Sequence, residues 1–338
     1  MKKILIIEPN WLGDALFTTP AIRAIAKRSK GAYICVMTHK RCREILEGNP
    51  YIDEIITLKN GRGILGFFAK CMQIPNLRSK KIDMVFLFSR SMSYLLMCVL
   101  SKIPQRIAYK RAKTQFLTTK AIVPAEPEPH RVEYFLNLTR AVGIDTENPD
   151  YELFLTDKDE KDAQLILNAN NIYGVKSYFV INPGGNWMPK RWPKEEFAKL
   201  ADELFNKYNT KVVITGAKKD VTLGKEIQAL SKTKPISICG KTTLKQMAAV
   251  LKCAKVVIAN DSGPMHIAVS QKTMTVALFG PTHPEITGPY GNSKYIVVKK
   301  DVECVIPCYV GDCKTYHCMK DITVSDVMKG VENVLSKM

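Results

Sequence analysis

Short runs of consecutive apolar residues alternate along the chain with stretches in which apolar positions recur every three or four residues. Runs of the first kind suit strands buried on both faces of a parallel sheet, and stretches of the second kind suit the helices that cover such a sheet. In the first half this pattern predicts strands at 4–7, 33–38, 54–58 and 84–88, with helices at 16–30, 43–47, 91–101 and 131–142. The segment 121–130 carries Pro124, Pro127 and Pro129 and is expected as a loop. A charged, linker-like helix around Asp157 to Asp162 follows, and a second alternation begins. Its strands are expected at 178–182, 211–215, 236–239, 255–259, 274–279 and 295–298, and its helices at 194–208, 221–230, 243–252, 264–270 and 325–337. The predicted class is α/β, with two doubly wound parallel sheets and a ligand cleft at the carboxyl ends of their strands.

At 338 residues the chain suits two domains of about 150 residues each. The expected boundaries are 1–155, 156–322 and a final helical segment, 323–338, that packs back on the first domain. Hydrophobic content of 46% with 24% charged residues describes a globular protein. No apolar run reaches the roughly 20 residues of a bilayer span. The apolar start, Ile4-Leu5-Ile6-Ile7, is interrupted by Glu8, Pro9 and Asn10 and lacks a small-residue cleavage site, so a cytoplasmic location is expected. The net charge of +18 leans toward the first half, through Arg78-Ser79-Lys80-Lys81 and the group Arg106, Lys110, Arg111, Lys113 and Lys120. Such a field favours anionic membranes, anionic substrates or nucleic acid. Aromatic residues are not interleaved with the basic runs, which disfavours a nucleic-acid-binding module. Of the 10 cysteines, Cys304, Cys308, Cys313 and Cys318 crowd together beside His317. Their C-x3-C-x4-C-x4-C spacing is looser than a zinc knuckle, so free thiols are expected ahead of a structural metal site.

Four loops after predicted strands have the composition of a nucleotide-sugar site. Asn10-Trp11-Leu12-Gly13-Asp14 offers a tight turn at Gly13 and a carboxylate, Asp14, able to take a proton from a hydroxyl or simply to cap a helix. Residues 182–193 combine Gly184, Gly185, Lys190 and Arg191 with Trp187 and Trp192 as stacking faces. Gly216-Ala217-Lys218-Lys219-Asp220 could hold a sugar hydroxyl through Asp220. In Asn260-Asp261-Ser262-Gly263-Pro264-Met265-His266 a strand gives way to a helix that Asp261 or Ser262 can cap, and whose amino end suits a phosphate. Gly280-Pro281-Thr282-His283-Pro284 adds Thr282 and His283 to the same sheet edge. The phosphate-binding loop, the dinucleotide fingerprint, the serine nucleophile elbow and the zinc-protease motif are all absent from the sequence.

Gly13-Asp14 with Thr19-Pro20-Ala21-Ile22, Pro183-Gly184 with Lys190-Arg191-Trp192-Pro193, Asn260-Asp261-Ser262-Gly263 with His266, and Phe279-Gly280-Pro281-Thr282 together resemble glycosyltransferase family nine, the bacterial lipopolysaccharide heptosyltransferases. The motifs run in the expected order over nearly the whole chain, and their K-R-W-P and N-D-S-G-x-M-H forms are most like the heptosyltransferase II branch. The resemblance implies a GT-B fold, two Rossmann-like doubly wound domains facing a central cleft, with the acceptor on the first and the nucleotide sugar on the second. It implies inverting, metal-independent heptose transfer from ADP-heptose to an inner-core heptose of Kdo-lipid A, with no cofactor. Asp14 would be the general base and Lys190 would bind the departing diphosphate. Asp220 and Asp261 would hold the sugar and its hydroxyls, the amides of Ser262 and Gly263 would meet the phosphates near His266, and adenine would lie near Gly240 to Thr242. Gly13, Gly184 and Arg191 complete the expected binding set. The implied partners are the donor, the anionic lipid acceptor and the cytoplasmic face of the inner membrane, reached by peripheral contact of a monomer, with no nucleic acid. A family-nine transferase with another nucleotide sugar or acceptor is the alternative, followed by a non-enzymatic nucleotide- or RNA-binding module.

Overall fold

The computed structural model describes residues 1–58, 63–112, 115–146, 148–308, 310, 313 and 315–337, with the side chains at 63–65 outside the description. Lys113 of the basic group therefore lies outside the described residues. The chain divides into two compact units, Met1–Phe154 and Leu155–Met338.

The first unit is built on six parallel strands, β1 (Lys3–Ile7), β2 (Tyr33–His39), β3 (Glu54–Leu58), β4 (Met84–Leu87), β5 (Gln105–Tyr109) and β6 (Lys120–Ile122), in the order β3-β2-β1-β4-β5-β6. Ile4, Leu5, Ile6 and Ile7 are all inaccessible to solvent, which is why β1 reads as an unbroken apolar run. Two strands escape the sequence pattern. Gln105 and Arg106 put a polar start on β5, and β6 is a three-residue edge strand that reaches into the expected loop as far as Ile122. Helices Gly63–Cys71 and Ile74–Lys80 also go unpredicted, because Gly66 and Pro75 interrupt the apolar spacing. Pro75 occupies the first turn of its helix, where a missing N–H costs nothing.

Helix Leu12–Arg28 starts four residues before the expected 16, which brings Asp14 into its first turn. Pro20 sits inside it and cannot donate to the carbonyl of Leu16; Thr19 Oγ1 donates to that oxygen instead, at 2.8 Å. Arg23, also on this helix, donates to the carbonyl of Asp150 at 3.0 Å and pairs with Glu152, so the chain up to Leu153 stays with the first unit.

The second unit repeats the plan with β7 (Tyr178–Asn182), β8 (Lys211–Ile214), β9 (Ile236–Ser237), β10 (Val257–Asn260), β11 (Thr275–Leu278) and β12 (Tyr295–Val298), parallel throughout in the order β12-β11-β10-β7-β8-β9. The charged segment after Thr156 is not a linker but its first helix, Asp157–Asn168. Reciprocal capping between Thr156 and Asp159 starts that helix, and it packs on helix Leu244–Cys253. The final helix, Val324–Leu335, belongs to the second unit. Val327, Val331 and Val334 are fully buried in the second unit's core, against β11, β12 and helix Lys194–Tyr208. Their spacing puts them on one stripe that only an apolar surface can cover. In each sheet the strand order reverses once, between β1 and β4 and between β7 and β10, and at such switch points adjacent loops diverge to leave a crevice.

Candidate functional site

At the switch point of the first unit, β1 is followed by Glu8 and leads through Asn10 and Trp11 to Asp14. Trp11 is the N-cap residue and makes no side-chain capping bond, so Asp14 is not the helix cap. Its half-buried carboxyl lies in the positive field of the helix start. Burial pushes the Asp14 pKa up, and the guanidinium groups of Arg131 and Arg90 pull against that rise. Those arginines share Glu128 Oε1, Arg90 at 3.1 Å and Arg131 at 2.9 Å, and both lie over the Tyr134 ring. Arg111 Nη1 donates to the carbonyl of Arg90 at 2.7 Å. A small pocket here is lined by Ser89, Arg90, Tyr109, Arg111 and Tyr134.

Glu8, which belongs to none of the sequence motifs, is 1% exposed. Thr18 Oγ1 stands 2.8 Å from Glu8 Oε2 and 2.8 Å from the carbonyl of Ala15. A threonine has one hydroxyl hydrogen and cannot serve two acceptors fully. With Glu8 protonated, its O–H donates to Thr18 and Thr18 donates to Ala15. Burial and the neighbouring Asp14 push the Glu8 pKa well up, against the lowering effect of Thr18, in accord with that network. Thr18 lies four residues after Asp14, one turn along the same helix face, so the Glu8 carboxyl sits against the base of the Asp14 turn. The signal in the sequence was a charged residue directly continuing a fully apolar strand.

At the switch point of the second unit, Asn182 and Asn260 end β7 and β10. Asn182 Nδ2 donates to Thr215 Oγ1 at 2.9 Å, while Asn260 accepts from the Trp192 amide at 3.1 Å and donates to the carbonyl of Pro183 at 2.9 Å. These side-chain bonds lock the loop 182–193 to both strand ends. Lys190 Nζ then donates to Asp261 Oδ2 at 2.5 Å, and Thr282 Oγ1 donates to the same oxygen at 2.6 Å. The structure thus brings together Lys190, Asp261 and Thr282 from three loops.

Helix Gly263–Ser270 begins beside them. Neither expected cap acts as one: Ser262, the N-cap residue, donates its hydroxyl to the carbonyl of Asn260 at 3.1 Å, and Asp261 is held by Lys190 and Thr282. The amino end of the helix consequently has no side-chain acceptor at its N-cap and presents N–H groups of the kind that bind phosphate. His266 is buried on this helix, 4% exposed.

Asp220 is buried against Gly184, where an added Cβ would stand 2.9 Å from Asp220 Oδ2, so the two loops touch only because residue 184 is glycine. Asp220 also accepts from the Ala217 amide at 3.0 Å. Thr242 is half-buried in the turn after the edge strand β9, beyond β8 from the β7/β10 crevice. Several expected roles change. Trp192 is no stacking face, being 2% exposed with its indole N–H donating to the carbonyl of Ile322 at 2.8 Å. Arg191 Nε donates to the carbonyl of Gly185 at 3.0 Å and braces the loop. His283 contacts the carbonyl of Ile306 through Nε2 at 2.7 Å rather than joining Thr282. Trp187 remains half-buried with Lys190 5.9 Å over its ring. Cys304, Cys308, Cys313 and Cys318 are free thiols. Among the described residues no three His, Cys, Asp or Glu side chains gather closely enough to hold a metal.

Two doubly wound parallel units, each with polar and charged groups at its switch point, define the class of a GT-B glycosyltransferase. The chain belongs to glycosyltransferase family 9 (heptosyltransferase), whose model matches residues 73–317. It is 27% identical to the lipopolysaccharide heptosyltransferase 2 of Salmonella typhimurium over 99% of both chains. Among solved structures it is similar to a family 9 glycosyltransferase from Veillonella parvula, with a TM-score of 0.88, 25% identity and coverage of 100% of this chain and 98% of the other. The ADP-heptose lipopolysaccharide heptosyltransferase II of Escherichia coli is also similar, with a TM-score of 0.81, 25% identity and coverage of 100% and 99%.

Proposed function

We propose that this protein transfers heptose from ADP-heptose to an inner-core heptose of Kdo-lipid A during lipopolysaccharide biosynthesis. The observation that carries the reading is the Lys190–Asp261 pair at 2.5 Å, standing at a side-chain-uncapped helix amino end on the switch point of the second unit. The full-length likeness to heptosyltransferases named for that pathway supports the choice of sugar and acceptor.

In this scheme the acceptor hydroxyl attacks the anomeric carbon from the face opposite the diphosphate, so the configuration inverts. Asp14 accepts the hydroxyl proton as the new C–O bond forms. The bond to the diphosphate breaks at the same carbon, and Lys190 with the amides of Ser262 and Gly263 stabilises the charge that leaves. Positive charge of the chain's own thus does the work a bound cation could do. Binding of the diphosphate separates Lys190 from Asp261 in part, which frees the carboxylate for sugar hydroxyls beside Asp220. The Thr242 turn takes adenine, and Gly13, Gly184, Arg191 and His266 shape the loops around the reacting groups. The protein works as a monomer at the cytoplasmic face of the inner membrane, which it meets peripherally; among the described residues no helix is long and apolar enough to cross it.

Purified protein incubated with ADP-heptose, heptosyl-Kdo-lipid A and EDTA is expected to yield a product with inverted anomeric configuration by NMR. Transfer only from another nucleotide sugar overturns the assignment of donor, and loss of turnover on chelation overturns metal independence.

A further inference from the structure

One face of the first unit is unusual for a water-exposed surface. Helix Met92–Leu100 is apolar nearly all round, a composition that normally means burial on every side. Its inner residues Tyr94, Leu95, Met97 and Cys98 do enter the core. Its outer face, however, carries Met92, Leu96 and Leu100 at four-residue spacing, with Met92 56% exposed and Leu100 42% exposed. Helix Gly63–Cys71 and the short turn Gln115–Leu117 both pack beside it. They add Phe67, Phe68 and Phe116 to the same surface, Phe116 at 76% exposure, and Met72 follows directly after the first of them at 78%. Large apolar side chains gathered on one surface mark an interaction site.

The charge of this region says what it meets. Between Gly63 and Lys120 the sequence contains eleven Lys and Arg residues and one acidic residue, Asp83. Asp83 is already engaged, accepting from the Lys3 amide at 2.8 Å. The cations are interleaved with the apolar groups. Lys70 Nζ donates to Ser93 Oγ at 2.6 Å next to Met92, Arg78 Nε donates to the carbonyl of Leu100 at 2.9 Å, and Arg106 Nε donates to the carbonyl of Leu117 at 2.7 Å beside Phe116. Lys81, Lys102, Lys110 and Lys120, from the same stretch of chain, are exposed. A second copy of this face would bring like charges together and is disfavoured. Phenylalanine and methionine inside a ring of cations match the boundary of an anionic bilayer, where apolar tips enter the acyl region and Lys and Arg meet headgroup phosphates.

We propose that the surface formed by Gly63–Cys71, Met92–Leu100 and Gln115–Leu117 docks the protein on an anionic phospholipid membrane. The inference rests on the reading above that the acceptor is a membrane lipid, and it names the face that meets the bilayer. It also gives a cause for the basic excess of the first half, since docking there holds the unit that carries Asp14 at the surface from which a lipid-linked acceptor projects.

The test is sedimentation of the full-length protein with vesicles of phosphatidylcholine alone or mixed with phosphatidylglycerol, alongside transfer to a delipidated, water-soluble acceptor. The wild type is expected to sediment with the mixed vesicles, less so with phosphatidylcholine alone, and to release as salt is raised. At about 1 kcal/mol per cation near the surface, Lys81→Glu/Lys110→Glu weakens binding by about tenfold or more. Phe68→Ser/Phe116→Ser has a similar effect, and both variants keep wild-type turnover on the soluble acceptor. If both variants bind mixed vesicles as well as the wild type, this face is the wrong one while the membrane reading stands. If the wild type binds no vesicles, membrane contact itself is refuted. A dimer abolished by Phe68→Ser/Phe116→Ser, with no vesicle binding, would assign the face to a second copy instead.

Discussion

Asp14 and Glu8 are two carboxyl groups six residues apart; burial pushes both pKa values up, and their neighbours differ. Asp14 faces Arg90 and Arg131, which favour its charged form, whereas Glu8 is sealed in the strand end and bonded to Thr18. Asp14→Asn is expected to lower kcat by about 10²–10⁴-fold with donor affinity retained, as measured by turnover and by calorimetric titration with the donor. Because burial raises the Asp14 pKa and the base works deprotonated, the acid limb of kcat against pH should lie above the range of a free carboxylate. For Glu8 the folded pKa is raised, so the folded state holds a proton that the unfolded chain gives up. Its contribution to stability is complete below the unfolded pKa and is lost as pH rises through the folded pKa. Glu8→Gln keeps a neutral donor toward Thr18 and removes this loss. Its Tm should exceed that of the wild type at pH 8, with the gap closing in acid; an equal gap at both pH values would contradict a protonated Glu8. Asp14 was legible because a Gly-Asp pair after a strand announces itself. Glu8 was not, since its protonation depends on Thr18 and Asp14 closing around it.

Helix starts were largely readable from short-range chemistry, because capping joins residues only three apart. Thr156 with Asp159, Thr243 with Gln246 and Thr323 with Asp326 all form reciprocal caps. The loops of the second unit were legible in composition but not in use. Lys190, Arg191, Trp187 and Trp192 are near neighbours in the chain, yet one cation pairs with Asp261 and the other binds backbone, and one indole is half-exposed while the other is core. The long-range partners behind those divisions are Asn260, Asp261 and Ile322, which lie 68 or more positions away from the residues they bind. Gly184 tests how tightly this arrangement is set. An added Cβ would stand 3.0 Å from Asp220 Cγ and 3.2 Å from Oδ1, with the carboxylate already fixed by the Ala217 amide. Gly184→Ala should therefore raise the donor KM and destabilise the unit by about 1–3 kcal/mol in urea unfolding. An unchanged KM would mean that the two loops need not touch for donor binding.

Across the whole molecule, the second unit depends on the last helix. Val324, Val327, Met328, Val331 and Val334 are buried there. At about 1.5–3 kcal/mol for each apolar side chain, the helix contributes on the order of the entire stability of a domain. Truncation after Ile322 is expected to abolish the cooperative unfolding transition of this unit and all donor binding, observable by calorimetry. A truncated chain that still binds ADP-heptose would refute that dependence. The α/β class, the succession of buried strands and the four loops that carry charged and glycine residues were determined by the sequence, because strand burial, helix periodicity and capping are written in local spacing. Tertiary structure decided that β1 and β4, and β7 and β10, are the strands between which the order reverses. It decided that the tail helix belongs to the second unit, that Glu8 is sealed against Thr18, and that Asp261 is held by Lys190 and Thr282 rather than capping its helix. Each of these turns on which distant group closes a hydrogen bond or covers an apolar stripe, and that pairing exists only once the chain has folded.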